Sequence, residues 1–118
     1  MKRTAIVTGG SNGIGRAVVR MMAREGVDVL FSYYSDEQAR ASLLAELSDA
    51  PGRAAAVRAD LGTREGVEAV FAAAERELGT IDILFNNAGV FLDSTFLTAT
   101  EQQLDRTLDV IVKGTFLL

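Results

Sequence analysis

The stretch TAIVTGGSNGIG, residues 4–15, sets the reading of the whole chain. Residues 4–8 are short, apolar and rich in β-branched side chains, which is strand chemistry. Glycines follow, and then Ile14, Val18, Met21 and Met22 fall at helical spacing. The unit is therefore a strand, a glycine turn and a helix. Gly9, Gly13 and Gly15 form a G-x-x-x-G-x-G spacing across that turn. Glycines there permit left-handed angles and let a ligand approach bare backbone, while the amides around Gly13 to Gly15 carry the positive end of the helix dipole, which suits a pyrophosphate. The competing reading is a tight structural turn with no ligand. No Lys-Ser or Lys-Thr pair follows the glycines, so a P-loop nucleoside triphosphatase is disfavoured, and the spacing also departs from the common G-x-G-x-x-G.

The same alternation continues outward without linker or repeat. VDVLFSY (27–33) reads as a second strand, and Asp36 opens a helix whose Ala39, Leu43, Leu44 and Leu47 share a face before Pro51 and Gly52 close the unit. AAAVRA (54–59) is a weaker strand by propensity and takes its place from the helices on either side. Thr63 is a credible N-cap with Gly66 at N3, and Val67, Val70, Phe71, Ala74 and Leu78 stripe the helix that stops at Gly79. IDILF (81–85) is the fourth strand. After the polar NNAG and a loop, a last helix begins near Thr100, with Leu104, Leu108, Ile111, Val112 and Thr115 expected on its inner face. Strands separated by helices must run parallel, and right-handed crossovers then place helices on both faces of an open sheet. The fold class is a doubly wound α/β sandwich. In such sheets ligands bind beyond the carboxyl ends of the strands, where the strand order reverses. TGGSNGIG, SYYSD, ADLG and NNAG each leave a strand at that rim.

Composition narrows the chemistry. The chain has 118 residues, read as a single domain over 1–118, with 48% apolar and 24% charged residues. A formal net charge of −4 argues against nucleic acid or an anionic membrane surface as partner. With no Cys and no His, thiolate nucleophiles, imidazole bases, disulfides and the commonest zinc sites are excluded, leaving Ser, Tyr, Lys, Asp or a bound cofactor. The apolar run near the N-terminus is too short for a signal-peptide core or a membrane span, and a cytoplasmic protein is expected.

TGGSNGIG together with ADL and NNAG resembles the short-chain dehydrogenase/reductase family, in its classical subgroup, over essentially the whole chain. The resemblance implies a three-layer Rossmann-type sheet of about four strands in the order 3-2-1-4. It implies that Gly9, Ser11, Asn12, Gly13, Ile14 and Gly15 line the phosphates and adenosine ribose of a nicotinamide dinucleotide. Asp60 would hydrogen-bond the adenine amino group with Leu61 against the ring, and Asn86, Asn87, Ala88 and Gly89 would line the nicotinamide-side ribose. The plainer alternatives are that Asp60 leads into the helix capped by Thr63 and that NNAG is a polar turn. Phe91, Leu92 and Phe96 either line an entrance or belong to the core.

An NAD-preferring site of this kind usually has an acid at the end of the second strand, and here that position is near Tyr33. Without a carboxylate there, Ser32, Tyr33 and Ser35 are expected to accommodate the 2′-phosphate of NADP by neutral hydrogen bonds. By the same resemblance, hydride transfer uses a Tyr-x-x-x-Lys pair, a Ser and a relay Asn. No Tyr-x-x-x-Lys occurs, Tyr33 and Tyr34 are at the adenosine end, and Ile111 stands at the relay position. Lys113 reads as a helix-surface ion. The ending RTLDVIVKGTFLL (106–118) reads as an interruption within the helix that leads toward a catalytic half. No catalytic residue is therefore assigned. Two functions stand: a nicotinamide-dinucleotide-binding portion of an alcohol/carbonyl oxidoreductase that does not turn over by itself, or a structural half-fold that self-associates without functional cofactor binding. A homodimer or larger assembly through the sheet edge or last helix is expected in either case.

Overall fold

The computed structural model describes residues 2–90 and 94–118. Its elements are β1 (Thr4–Val7), α1 (Gly13–Arg24), β2 (Asp28–Tyr33), α2 (Glu37–Glu46), β3 (Ala54–Arg58), α3 (Arg64–Glu77), β4 (Ile83–Phe85) and α4 (Glu101–Thr107). From α4 the chain continues as a π-helical stretch, Leu108–Gly114, and ends in the short helix α5, Thr115–Leu117. The strands form one sheet in the order β3-β2-β1-β4, all parallel. The expected fold class and strand order are those observed.

The period-2 alternation of strand side chains splits the core in two. Ala5 and Val7 of β1 with Val29 and Phe31 of β2 face α1 and α2, where they meet Val19, Ala23, Leu43 and Leu47. Ile6 and Leu30 face the opposite way and meet Leu61, Val67, Val70, Ala73 and Ala74 on the α3 side. Each fully buried Ile, Leu or Phe of this kind contributes roughly 1.5–3 kcal/mol relative to exposure. The helix starts follow local chemistry: Asp36 accepts the Ala39 N–H at 2.9 Å, Thr63 accepts the Gly66 N–H at 3.0 Å, and Thr100 forms a reciprocal capping box with Gln103.

Several expected faces are rotated. On α1 the buried residues are Gly15, Val19 and Ala23, while Ile14 and Met21 are exposed. Residues spaced by four, two of them small, let the helix lie close to β1 and β2, and this outweighs a stripe of larger side chains. On α3, Phe71 lies on the flank and Val70 and Ala73 point inward. The last helix differs most. Leu104, Leu108, Ile111 and Val112 are exposed, and Val110 and Gly114 are buried. An α-helical period of 3.6 does not hold through the π-helical stretch, whose wider turns shift the phase of the side chains after Leu108; Leu104 precedes it, in α4, which buries no residue. Lys113 is exposed, as a surface ion should be. Phe91 and Leu92 lie outside the described residues; Phe96 is 97% exposed and is not core.

Candidate functional site

The four strand ends converge on a cleft of about 280 Å³ at the carboxyl edge of the sheet, where the strand order turns back at β1. Gly9, Ser32, Tyr33, Asp60, Leu61, Ala88 and Gly89 of the expected set line it, and Tyr34, Ala59, Val90, Arg106 and Val110 join them. Ser11, Asn12, Gly13, Ile14 and Gly15 form the turn above it and the start of α1; Asn86 and Asn87 lie at the end of β4.

The glycine turn is braced from three sides. Ser32, fully buried at the end of β2, accepts the Gly9 N–H through its hydroxyl at 3.1 Å and the Gly10 N–H through its carbonyl at 2.9 Å. Asn87 donates its side-chain amide to the Gly9 carbonyl at 3.2 Å. Arg16 donates to the Ser11 carbonyl at 3.0 Å and to the Ala39 carbonyl at 2.9 Å, tying α1 to α2 beneath the turn. Gly9 takes φ +65°, and a Cβ there would come within 2.9 Å of the Ala88 Cα, so β1 and β4 can close on each other only over a glycine. Gly13 takes φ +57° with open space where its side chain would be.

The start of α1 differs from those of α2, α3 and α4, each of which has a side-chain cap and an acidic residue in its first turn. Asn12 makes no side-chain capping bond, and no acidic residue lies in the first turn. Asn12 instead turns its amide to Asp36 and Ser11, each at 3.3 Å. The first-turn N–H groups therefore keep their positive end directed outward, where an anion is stabilised.

At the other end of the cleft, the Asp60 Oδ1 accepts the Gly62 N–H at 2.9 Å and Arg106 Nη1 at 2.7 Å. Burial acts to raise the Asp60 carboxyl, but the hydrogen bonds from Arg106 and Gly62 and the arginine charge outweigh it and hold the group below the usual carboxylate range. The Asp60 carbonyl accepts from the Thr63 hydroxyl at 2.8 Å, so this residue both leads into α3 and lines the cleft. Arg106 also lies over the Tyr34 ring, 5.2 Å from its centre. Tyr33 donates its hydroxyl to Glu37 at 3.0 Å, and Arg40 sits 5.7 Å from its ring centre. Burial and the neighbouring Glu37 push the Tyr33 phenol up. Arg58 donates to the Tyr34 carbonyl at 3.1 Å. Tyr34 lines the cleft at the expected adenosine end, whereas Arg106 and Val110 join it with no signal in the sequence. Asp60 and Arg106 are 46 positions apart, and no local pattern links them.

The profile of the short chain dehydrogenase family matches residues 3–118. The chain belongs to that family. Among its dehydrogenase relatives, the 3β-hydroxysteroid dehydrogenase 1 of Eggerthella lenta is 38% identical over 114 residues, which cover 97% of this chain and 44% of the relative. Two solved structures are similarly close. A blue fluorescent protein from a metagenomic library, in complex with NADPH, is 37% identical with a TM-score of 0.90 over 98% of this chain and 47% of that one. A short chain dehydrogenase from Burkholderia cenocepacia, in complex with NADP, is 32% identical with a TM-score of 0.92 over 98% of this chain and 47% of that one. The chain thus spans about half the length, or slightly less, of the family members it matches. Among the described residues, no helix is long and apolar enough to cross a membrane.

Proposed function

We propose that residues 1–118 form the nicotinamide-dinucleotide-binding unit of an oxidoreductase that interconverts alcohols and carbonyls, and that these residues bind the dinucleotide without turning it over by themselves. The observation that carries the reading is the open start of α1, which begins four residues after Gly9 on the wall of a cleft that also takes in Asp60. A dinucleotide needs both features, a cationic backbone end for its pyrophosphate and a polar acceptor in an apolar wall for its base.

The residues fit such a group. The Gly13 to Gly15 amides would meet the pyrophosphate, with Ser11 and Asn12 beside them. Asp60 and Leu61 would hold the adenine, and Asn86, Asn87, Ala88 and Gly89 would flank the nicotinamide-side ribose. When bound, the nicotinamide supplies the hydride donor or acceptor. No Tyr-x-x-x-Lys pair occurs in these 118 residues, and Ile111 offers no polar atom for a proton relay, so no proton-transfer role falls to them.

We assign the cofactor as NADP in preference to NAD. The solved relatives named above hold NADPH or NADP. Asp36 is engaged with Ala39 and Asn12, and Glu37 with Tyr33 and Arg40, while Arg58 lies at the Tyr34 carbonyl with no ion pair among the described residues. Ser32 is committed to the Gly9 N–H, so of the expected hydroxyls Ser35, exposed at the rim, is the one with no internal partner among the described residues. Calorimetric titration with NADPH and NADH, followed by a carbonyl-reductase assay, tests the assignment. Tighter binding of NADPH without turnover supports it; equal affinities remove the preference; turnover by this chain alone contradicts the incompetence. Gly13→Val places a branched side chain over the phosphate position, and unchanged affinity in the folded variant would sink the phosphate role of the turn.

A second reading rests on exposed apolar surface. Leu104, Leu108, Val112 and Phe116 of the last helix are exposed, as are Leu84 and Phe85 of β4, an edge strand of the sheet. An open parallel edge with such side chains invites pairing with a second copy of the chain. Cytoplasmic residence is proposed with either reading. Light scattering at micromolar concentration decides self-association: a mass of two chains or more supports it and a monomeric mass removes it.

A further inference from the structure

We propose that Arg106 is a positioning residue for the base-binding end of the cleft: it commits one oxygen of Asp60, leaves the other free, and so makes the site select a purine carrying an exocyclic amino group. The proposal rests on the dinucleotide reading above and concerns how the base is chosen.

Asp60 Oδ1 receives two donors, Arg106 Nη1 at 2.7 Å and the Gly62 N–H at 2.9 Å. Its Oδ2 makes no hydrogen bond among the described residues, and Asp60 lines the cleft beside Leu61. An ionised carboxylate only accepts. A base that presents an N–H to Oδ2 is therefore rewarded, and one that presents a carbonyl oxygen meets a like partial charge. Adenine carries an amino group at the position where hypoxanthine carries an oxo group, so these two bases differ in the feature the acceptor reads.

Arg106 is itself fixed. Its guanidinium lies over the Tyr34 ring at 5.2 Å, and the helix that carries it is docked one and two turns further on by Val110 and Gly114. A Cβ at Gly62 would come within 2.6 Å of Arg106 Nη1 and 3.2 Å of Val110 Cγ2, and one at Gly114 would overlap the Leu61 carbonyl oxygen. Two glycines thus let the 60–62 segment and the last helix approach closely enough for the ion pair to be short. The simple alternative is a strut: Arg106 fastens the helix to the loop and has no bearing on which base binds. A strut predicts equal losses for every dinucleotide, whereas a positioning residue changes the ratio between them.

The test is fluorescence titration of the chain with NADPH and with its hypoxanthine analogue. The wild-type chain should favour NADPH by at least about tenfold, the scale set by a hydrogen bond to a charged group that is left unmade. Arg106→Met should reduce the preference to within about threefold, Arg106→Lys should restore part of it, and Asp60→Asn, which adds a donor, should move it toward hypoxanthine. Circular dichroism verifies that each variant is folded. Losses of equal size for both ligands in Arg106→Met, with the ratio unchanged, overturn the proposal in favour of the strut. Equal binding of both ligands by the wild-type chain overturns it while leaving the dinucleotide reading in place, and binding of neither by the folded chain removes both.

Discussion

The Thr8 hydroxyl oxygen accepts the Asn87 N–H at 2.9 Å and, at the same distance, the Ala88 N–H as well. One side chain at the end of β1 thereby satisfies two consecutive backbone donors just past β4, and the Asn87 amide returns the contact through the Gly9 carbonyl. The glycine turn and NNAG are one hydrogen-bonded unit across the switch point of the sheet.

Thr8→Val keeps the shape and removes the acceptor, leaving two N–H groups unsatisfied beside a side chain that is 1% exposed. We expect a loss of about 2–6 kcal/mol in urea unfolding, from about 1–3 kcal/mol for each of the two orphaned groups. Thr8→Ser keeps the oxygen and should lose less than half as much. Equal losses for the two variants would mean that packing of the methyl, rather than the hydroxyl, holds the unit.

The strand ends and caps were legible because each is written locally. Asp36, Thr63 and Thr100 cap the helices they precede, and the four rim segments leave strands where period-2 apolar runs stop. Helix faces were less legible. Ile14 and Met21 continue an apolar stripe on α1, but contact with the sheet is made by Gly15, Val19 and Ala23, whose small size is the asset. On the last helix a 3.6-residue period was carried through Leu108–Gly114, where the winding is π-helical. The role of Arg106 depends on a partner in a different unit of the fold, which no spacing rule reaches.

Ile111 illustrates the energetic consequence. A buried isoleucine at that position would contribute roughly 1.5–3 kcal/mol over a polar residue. It is 42% exposed, near the surface of the π-helical stretch. Ile111→Asn should therefore change the denaturant midpoint by less than the equivalent of about 1 kcal/mol, a little above the roughly 0.5 kcal/mol of ordinary surface substitutions because the side chain is partly covered. A loss above about 2 kcal/mol would place the side chain in the core after all.

Gly114→Ala probes the docking of the last helix. Its Cβ would overlap the Leu61 carbonyl, so the helix must shift away from the 60–62 segment. We expect a loss of about 1–3 kcal/mol, as for other overpacked contacts. Hydrogen exchange should show weaker protection across residues 101–117, with β1 and β2 unchanged.

The Asp60 carboxyl has its folded pKa held below the unfolded value of 3.8. It therefore contributes stability that is fully present above 3.8 and is lost as pH falls through the folded value. Asp28 acts in the same direction, since the Arg53 N–H and Lys2 outweigh the burial that would raise it. Unfolding free energy should hold level above about pH 5 and decline below it. In Arg106→Met only burial and the Gly62 N–H still act on Asp60, so NADPH affinity should begin to fall at a higher pH than in wild type. Coincident pH profiles for the two proteins would contradict the assigned link between Arg106 and the ionisation of Asp60.

Isothermal titration of the folded chain with NADPH tests the central claim most directly. The account predicts saturable binding of one dinucleotide per chain, weakened at least about tenfold by Gly13→Val, because a β-branched residue at φ +57° reshapes the turn and crowds the pyrophosphate at the open start of α1. Absence of any binding at millimolar NADPH by a chain shown to be folded would contradict it.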